Sequence, residues 1–139
     1  MIFCQGSGYD SNTEGFLGVI GQFKNKVVGL AIEKQGVNFG DSGDNLTEEY
    51  IENNTIEKRL YDYLRVLQHL RTNAEWWNGK IYIIGGSEGG LLAGMLACFY
   101  PNVKGLTIFS FGGGLKFWRG LANFKWFAIK RKRCIQNRD

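Results

Sequence analysis

The sequence predicts an α/β fold: a parallel sheet of about four strands, in the order 2-1-3-4, with helices on its faces. Strand-length apolar runs alternate with longer segments whose apolar residues recur at helical spacing, and parallel neighbours require such crossover connections. The 139 residues include twenty glycines and one proline, so turns are made mostly by glycine, as tight strand-to-helix connections demand. A hydrophobic content of 44% with 22% charged residues is that of a chain able to bury a core.

The first strand is Ile2-Phe3-Cys4, which stops at the glycine turn Gln5-Gly6-Ser7-Gly8. Ser11 and Glu14 have the spacing of a capping box, which predicts a short helix through Phe16, Leu17, Val19 and Ile20. Residues 26–32 read as the second strand. Residues 33–53 are polar and glycine-bearing and are expected to form a long surface loop. Asn54 and Glu57 are placed to cap a helix in which Ile56, Leu60, Tyr63, Leu64, Leu67 and Leu70 form one apolar face. Residues 80–84 give the third strand. Leu91, Leu92, Met95, Leu96 and Phe99 give a helix ended by Pro101, and residues 103–109 the fourth strand.

The net charge of +4 is a property of the C-terminus. After Leu115 there are eight basic residues against Asp139 alone, interleaved with Phe117, Trp118, Phe124, Trp126 and Phe127 in no clear period. This divides the chain into a domain over residues 1–114 and a basic aromatic tail over 115–139. Cys4, Cys98 and Cys134 have no C-x-x-C spacing, so neither a disulfide framework nor a zinc site is indicated, and a reducing, cytoplasmic compartment fits. Cys98 reads as a core residue of its helix. The carboxylates Asp41, Asp44, Glu48, Glu49 and Glu52 read as a solvated acidic surface and Trp76-Trp77 as packing at a helix end, so no metal or cofactor is expected. No secretory leader is expected from the opening residues, and no apolar run reaches membrane-spanning length.

The chemistry lies in Gly85-Gly86-Ser87-Glu88-Gly89-Gly90, between the third strand and the following helix. A G-x-S-x-G pattern in that context puts serine on a sharp turn and aims the next backbone N–H, that of Glu88, at the place where a substrate carbonyl oxygen becomes negative. A second donor is expected from a loop after another strand, and the N–H of Ser7 is the candidate. In the order 2-1-3-4, ligands bind at the carboxyl ends of the first and third strands, which precede Ser7 and Ser87. A dinucleotide fingerprint would need glycine at Ser87, and a P-loop would need lysine where Leu91 stands.

Together with Trp76-Trp77-Asn78-Gly79-Lys80 and Gln5-Gly6-Ser7-Gly8, this motif resembles the α/β-hydrolase superfamily, in its acyl-ester and thioester hydrolase branch. The resemblance spans roughly residues 2 to 114 and implies a partial α/β-hydrolase fold, with Ser87 as nucleophile and the N–H groups of Glu88 and Ser7 as oxyanion hole. The family places an acid and then a histidine after the serine. Here Asp139 is the sole acid after Glu88, and His69, the single histidine, precedes Ser87 and reads as a surface residue. The expectation is therefore a truncated serine hydrolase of little activity, acting on a small acyl ester or thioester, with a complementary chain as the partner that would supply acid and histidine. Nucleic acid is not an expected partner. The alternative is a non-catalytic protein that binds an anionic partner through the basic aromatic tail.

Overall fold

The structure is a computed structural model and describes residues 1–23, 27–43, 45–109, 127–130 and 133–136. In chain order the elements are β1 (Ile2–Cys4), α1 (Asn12–Ile20), a 3₁₀ turn (Gly21–Phe23), β2 (Leu30–Ala31), α2 (Glu48–Asn53), α3 (Ile56–Asn73), β3 (Ile81–Gly86), α4 (Glu88–Phe99), β4 (Val103–Phe109), β5 (Phe127–Lys130) and β6 (Arg133–Gln136). The first four strands form one parallel sheet in the order β2-β1-β3-β4, as the alternation of strand and helix predicts. Most of the expected tail, 115–139, lies outside the described residues; β5 and β6 within it pair antiparallel as a separate two-stranded sheet.

Alternation along β1 and β3 sets the layers, because successive side chains of a strand face opposite sides. Ile2, Cys4, Ile81 and Ile83 are buried with Leu60, Tyr63 and Leu67 of α3 and with Leu92, Ala93, Leu96 and Ala97 of α4. On the opposite face Phe3 stacks on Phe16 of α1, ring centroids 5.1 Å apart. Tyr63 reaches through the core, its hydroxyl donating to the Phe3 carbonyl at 2.8 Å. Burial pushes the Cys4 thiol up to about 12, so it stays protonated and behaves as a small hydrophobe. Cys98, expected in the core, is instead exposed.

Local signals for helix ends differ from those read in the sequence. Ser11 occupies the N-cap of α1 but makes no side-chain cap bond. Glu33, just past β2, does the capping: its carboxylate accepts from Asn12 N at 2.7 Å, Thr13 N at 2.9 Å and Ser11 Oγ at 2.7 Å. A carboxylate at a helix N-terminus satisfies orphan donors and complements the dipole, and here it comes from 20 residues along the chain rather than from the helix itself. The cap of α3 is Thr55, which accepts from Lys58 N, rather than Asn54. Asn54 instead donates to the Tyr50 hydroxyl at 2.8 Å. The expected loop 33–53 contains α2, capped by Thr47, and β2 is two residues long within the expected 26–32.

Burial alone would raise the Glu33 carboxyl, but the hydrogen bonds from Ser11, Thr13 and Asn12 outweigh it and the net shift is downward. A lowered folded pKa means stability that is present above the ordinary value of 4.5 and lost as pH falls through the folded value. Glu33→Gln is therefore expected to cost about 1–2 kcal/mol near neutral pH, with the gap to the wild type closing as pH falls from 4.5 through the lowered folded value. Urea unfolding of both proteins across that range measures it.

Candidate functional site

Ser87 stands alone between β3 and α4. Its backbone has φ 53° and ψ −127°, which makes it the one non-glycine residue with positive φ among the described residues. The turn is held at both ends: Ser87 N donates to the Phe109 carbonyl at the end of β4 at 3.1 Å, and Gly90 N donates to the Ser87 carbonyl at 2.9 Å. The side chain is exposed above the carboxyl end of the sheet. An L-residue in this region carries strain on the order of 1–3 kcal/mol, and such strain concentrates where geometry serves a site. Ser87→Gly is therefore expected to unfold at higher urea than Ser87→Ala, by about 1 kcal/mol once the glycine's own entropy is counted, since alanine retains the strained Cβ.

Close approach explains Gly85, Gly86 and Gly89. A Cβ on Gly85 would collide with the Gly89 carbonyl and the Ala93 side chain, and one on Gly89 would collide with the carbonyls of Cys4 and Gln5. A Cβ on Gly86 would meet the Phe109 ring at 2.6 Å. So β3, the first turn of α4 and the end of β1 converge with no room for side chains between them.

That convergence brings the Gln5–Gly8 turn beside the serine. A Cβ on Gly6 would lie 3.3 Å from Ser87 Cβ, so Gly6 is the residue packed directly against the serine, and Ser7 follows it, exposed. Glu88 heads α4, with a carboxylate Oε2 3.6 Å from Arg59 Nη1. The sequence-derived residues Ser87, Glu88 and the Ser7 turn thus share one corner of the molecule, at the carboxyl ends of β1 and β3.

Beneath the turn lies a polar cluster that the sequence reading missed. Arg59 and Lys34 are each 5% exposed. Arg59 Nη2 donates to the Gln5 carbonyl, Lys34 Nζ to the Gly8 carbonyl, and the Tyr50 hydroxyl to the Ser7 carbonyl at 2.6 Å. Burial, with the Arg59 charge nearby, brings the Lys34 ammonium down to about 8. One signal was present in the sequence: Arg59 lies three residues after Ile56 and four before Tyr63, on the apolar stripe of α3, where a charge is unexpected unless paired. Lys34 and Tyr50 sit in irregular or short segments that show no such pattern.

His69 is not part of this corner. It is exposed on α3, with Nδ1 3.2 Å from Asn73 Nδ2, and lies ten residues beyond Arg59, roughly 15 Å further along the helix axis. A groove of about 640 Å³ lies at that far end, between α3 and the end of α4, lined by residues such as Leu67, Arg71, Trp77 and Phe99 and by none of the Ser87 turn. Asp41, in the acidic stretch, accepts from Asn38 N at 2.7 Å and from the Tyr9 hydroxyl at 3.3 Å. Among the described residues no cluster of His, Cys, Asp and Glu is arranged to hold a metal, and no helix is long and apolar enough to cross a membrane. Neither protein-family profiles nor curated proteins give a match to this sequence.

Proposed function

We propose that this chain carries the nucleophile region of a serine hydrolase acting on small acyl esters or thioesters, with Ser87 as nucleophile and the N–H groups of Glu88 and Ser7 as oxyanion hole. The observation that carries the reading is the left-handed backbone of Ser87 at the β3–α4 junction, pressed against Gly6. A serine so placed presents Oγ clear of the sheet, at the head of a helix whose first N–H groups and dipole favour a developing negative charge.

Serine needs a proton acceptor to become a strong nucleophile. His69 lies too far along α3 for that role, and the Glu88 carboxylate faces Arg59. A complementary polypeptide segment carrying an acid and a histidine is the partner this reading calls for. Without it, orientation and oxyanion stabilisation alone give about 10³- to 10⁴-fold over water. The test is incubation with a fluorophosphonate probe and with short acyl esters and thioesters, comparing wild type with Ser87→Ala. Slow, stoichiometric labelling at Ser87, lost in Ser87→Ala, is expected; labelling that persists in the alanine variant, or none at all in the wild type, would sink the reading.

A further inference from the structure

We propose that Arg59 is the positioning residue of the Ser87 site: one buried guanidinium ties the Gln5–Gly8 turn to the first residue of α4 and so fixes the two N–H donors relative to the serine. The inference rests on the reading of Ser87 as nucleophile and names the device that would hold its oxyanion hole together.

Peptide planarity couples each carbonyl to the N–H beside it. The described chain has no cis peptide, so each carbonyl points opposite to the N–H of the next residue. Arg59 draws the Gln5 carbonyl inward and Tyr50 draws the Ser7 carbonyl inward. The Gly6–Ser7 peptide, which bears the Ser7 N–H, lies between these two anchored neighbours, and Lys34 holds the Gly8 carbonyl next along. Three side chains from separate parts of the fold therefore grip one four-residue turn. Of the three, Arg59 alone also reaches α4, through Glu88 at 3.6 Å. Its Nη1 is buried with no hydrogen-bond partner, which leaves the Glu88 carboxylate as its counter-charge. The bridge joins positions 5, 59 and 88, so it forms only when β1, α3 and α4 are all packed.

A purely structural arginine would lower stability without altering the reaction of Ser87 in the folded fraction. A positioning arginine would change the reaction itself. Fluorophosphonate labelling of the full chain separates these when resolved into the maximal rate of inactivation and the probe's half-saturating concentration. Arg59→Met is expected to lower the maximal rate by at least about tenfold, less than the roughly 10²- to 10³-fold loss of a whole oxyanion donor because the N–H groups remain but are no longer held, while leaving half-saturation within about twofold. Arg59→Lys is expected to recover part of the rate by reaching one of the two partners. Leu67→Ala, a core truncation on the same helix, is expected to lower stability and leave the rate of the folded protein unchanged. Amide spectra give a second, independent readout: the Gly6, Ser7, Gly8 and Glu88 signals should move in Arg59→Met and Glu88→Gln. If the wild type does not label at all, the nucleophile reading fails and these amides alone decide whether Arg59 organises the corner. Unmoved amides, or an Arg59→Met rate equal to wild type, would overturn the inference. Should Arg59→Met not fold, Arg59→Lys and Glu88→Gln carry the same two readouts.

Discussion

Gly89→Ala is expected to destabilise the fold by about 3 kcal/mol or more, although alanine is the better helix former by about 1 kcal/mol. The added methyl would be forced into the carbonyls of Cys4 and Gln5, which are backbone atoms that cannot rotate away. Relief requires α4 to lift off β1, and that opens the contacts of Leu92 and Ala93 with the sheet. Gly94, one and a half turns further along α4, is the internal comparison, because a Cβ there meets nothing within 4 Å. Gly94→Ala should therefore raise stability by up to about 1 kcal/mol. Opposite signs for the same substitution in the same helix, read by urea unfolding, would establish that close approach rather than helix propensity governs Gly89.

Leu96→Ala is the second large effect, expected at about 3 kcal/mol within the usual range of about 2–5 for a buried leucine. Leu96 is 0% exposed and belongs to the cluster formed by Ile2, Ile81, Ile83, Leu67 and Tyr63. Its neighbours are held on three different elements, so they close only partly over the space left behind, and the cavity adds to the lost transfer energy. Phe99, three residues on and 59% exposed, loses little on the same truncation, within about 1 kcal/mol. A reversal of that ranking in thermal or urea unfolding would mean that α4 faces the sheet differently.

The parallel order and the serine turn were legible because both rest on short-range rules. Alternation of strand and helix requires crossovers, and glycines at fixed offsets around Ser87 mark a turn with no space for side chains. What was not legible depends on contacts distant in sequence. Ser11 looks like a cap, but Glu33 caps α1 from the end of β2, and no local pattern encodes that. Thr55 displaces Asn54 as the cap of α3 because Asn54 is engaged with Tyr50. The short helix α2 has fewer than two turns, too few for an apolar period to show. The grip of Arg59, Lys34 and Tyr50 on the Gln5–Gly8 turn spans 26 to 54 residues, so only the odd placement of Arg59 on an apolar stripe announced it.

The bond from Ser87 N to the Phe109 carbonyl has a mechanical meaning. It extends the parallel ladder of β3 and β4 by one rung past Gly86, so the backbone of the exposed serine is fastened to the last residue of one of the two edge strands of the four-stranded sheet. A tug on the end of β4 would reach the serine through a single hydrogen bond. Among the described residues β4 is an edge of that sheet, so a shift of its last residue would be felt at the turn through the backbone, without contact to the Ser87 side chain.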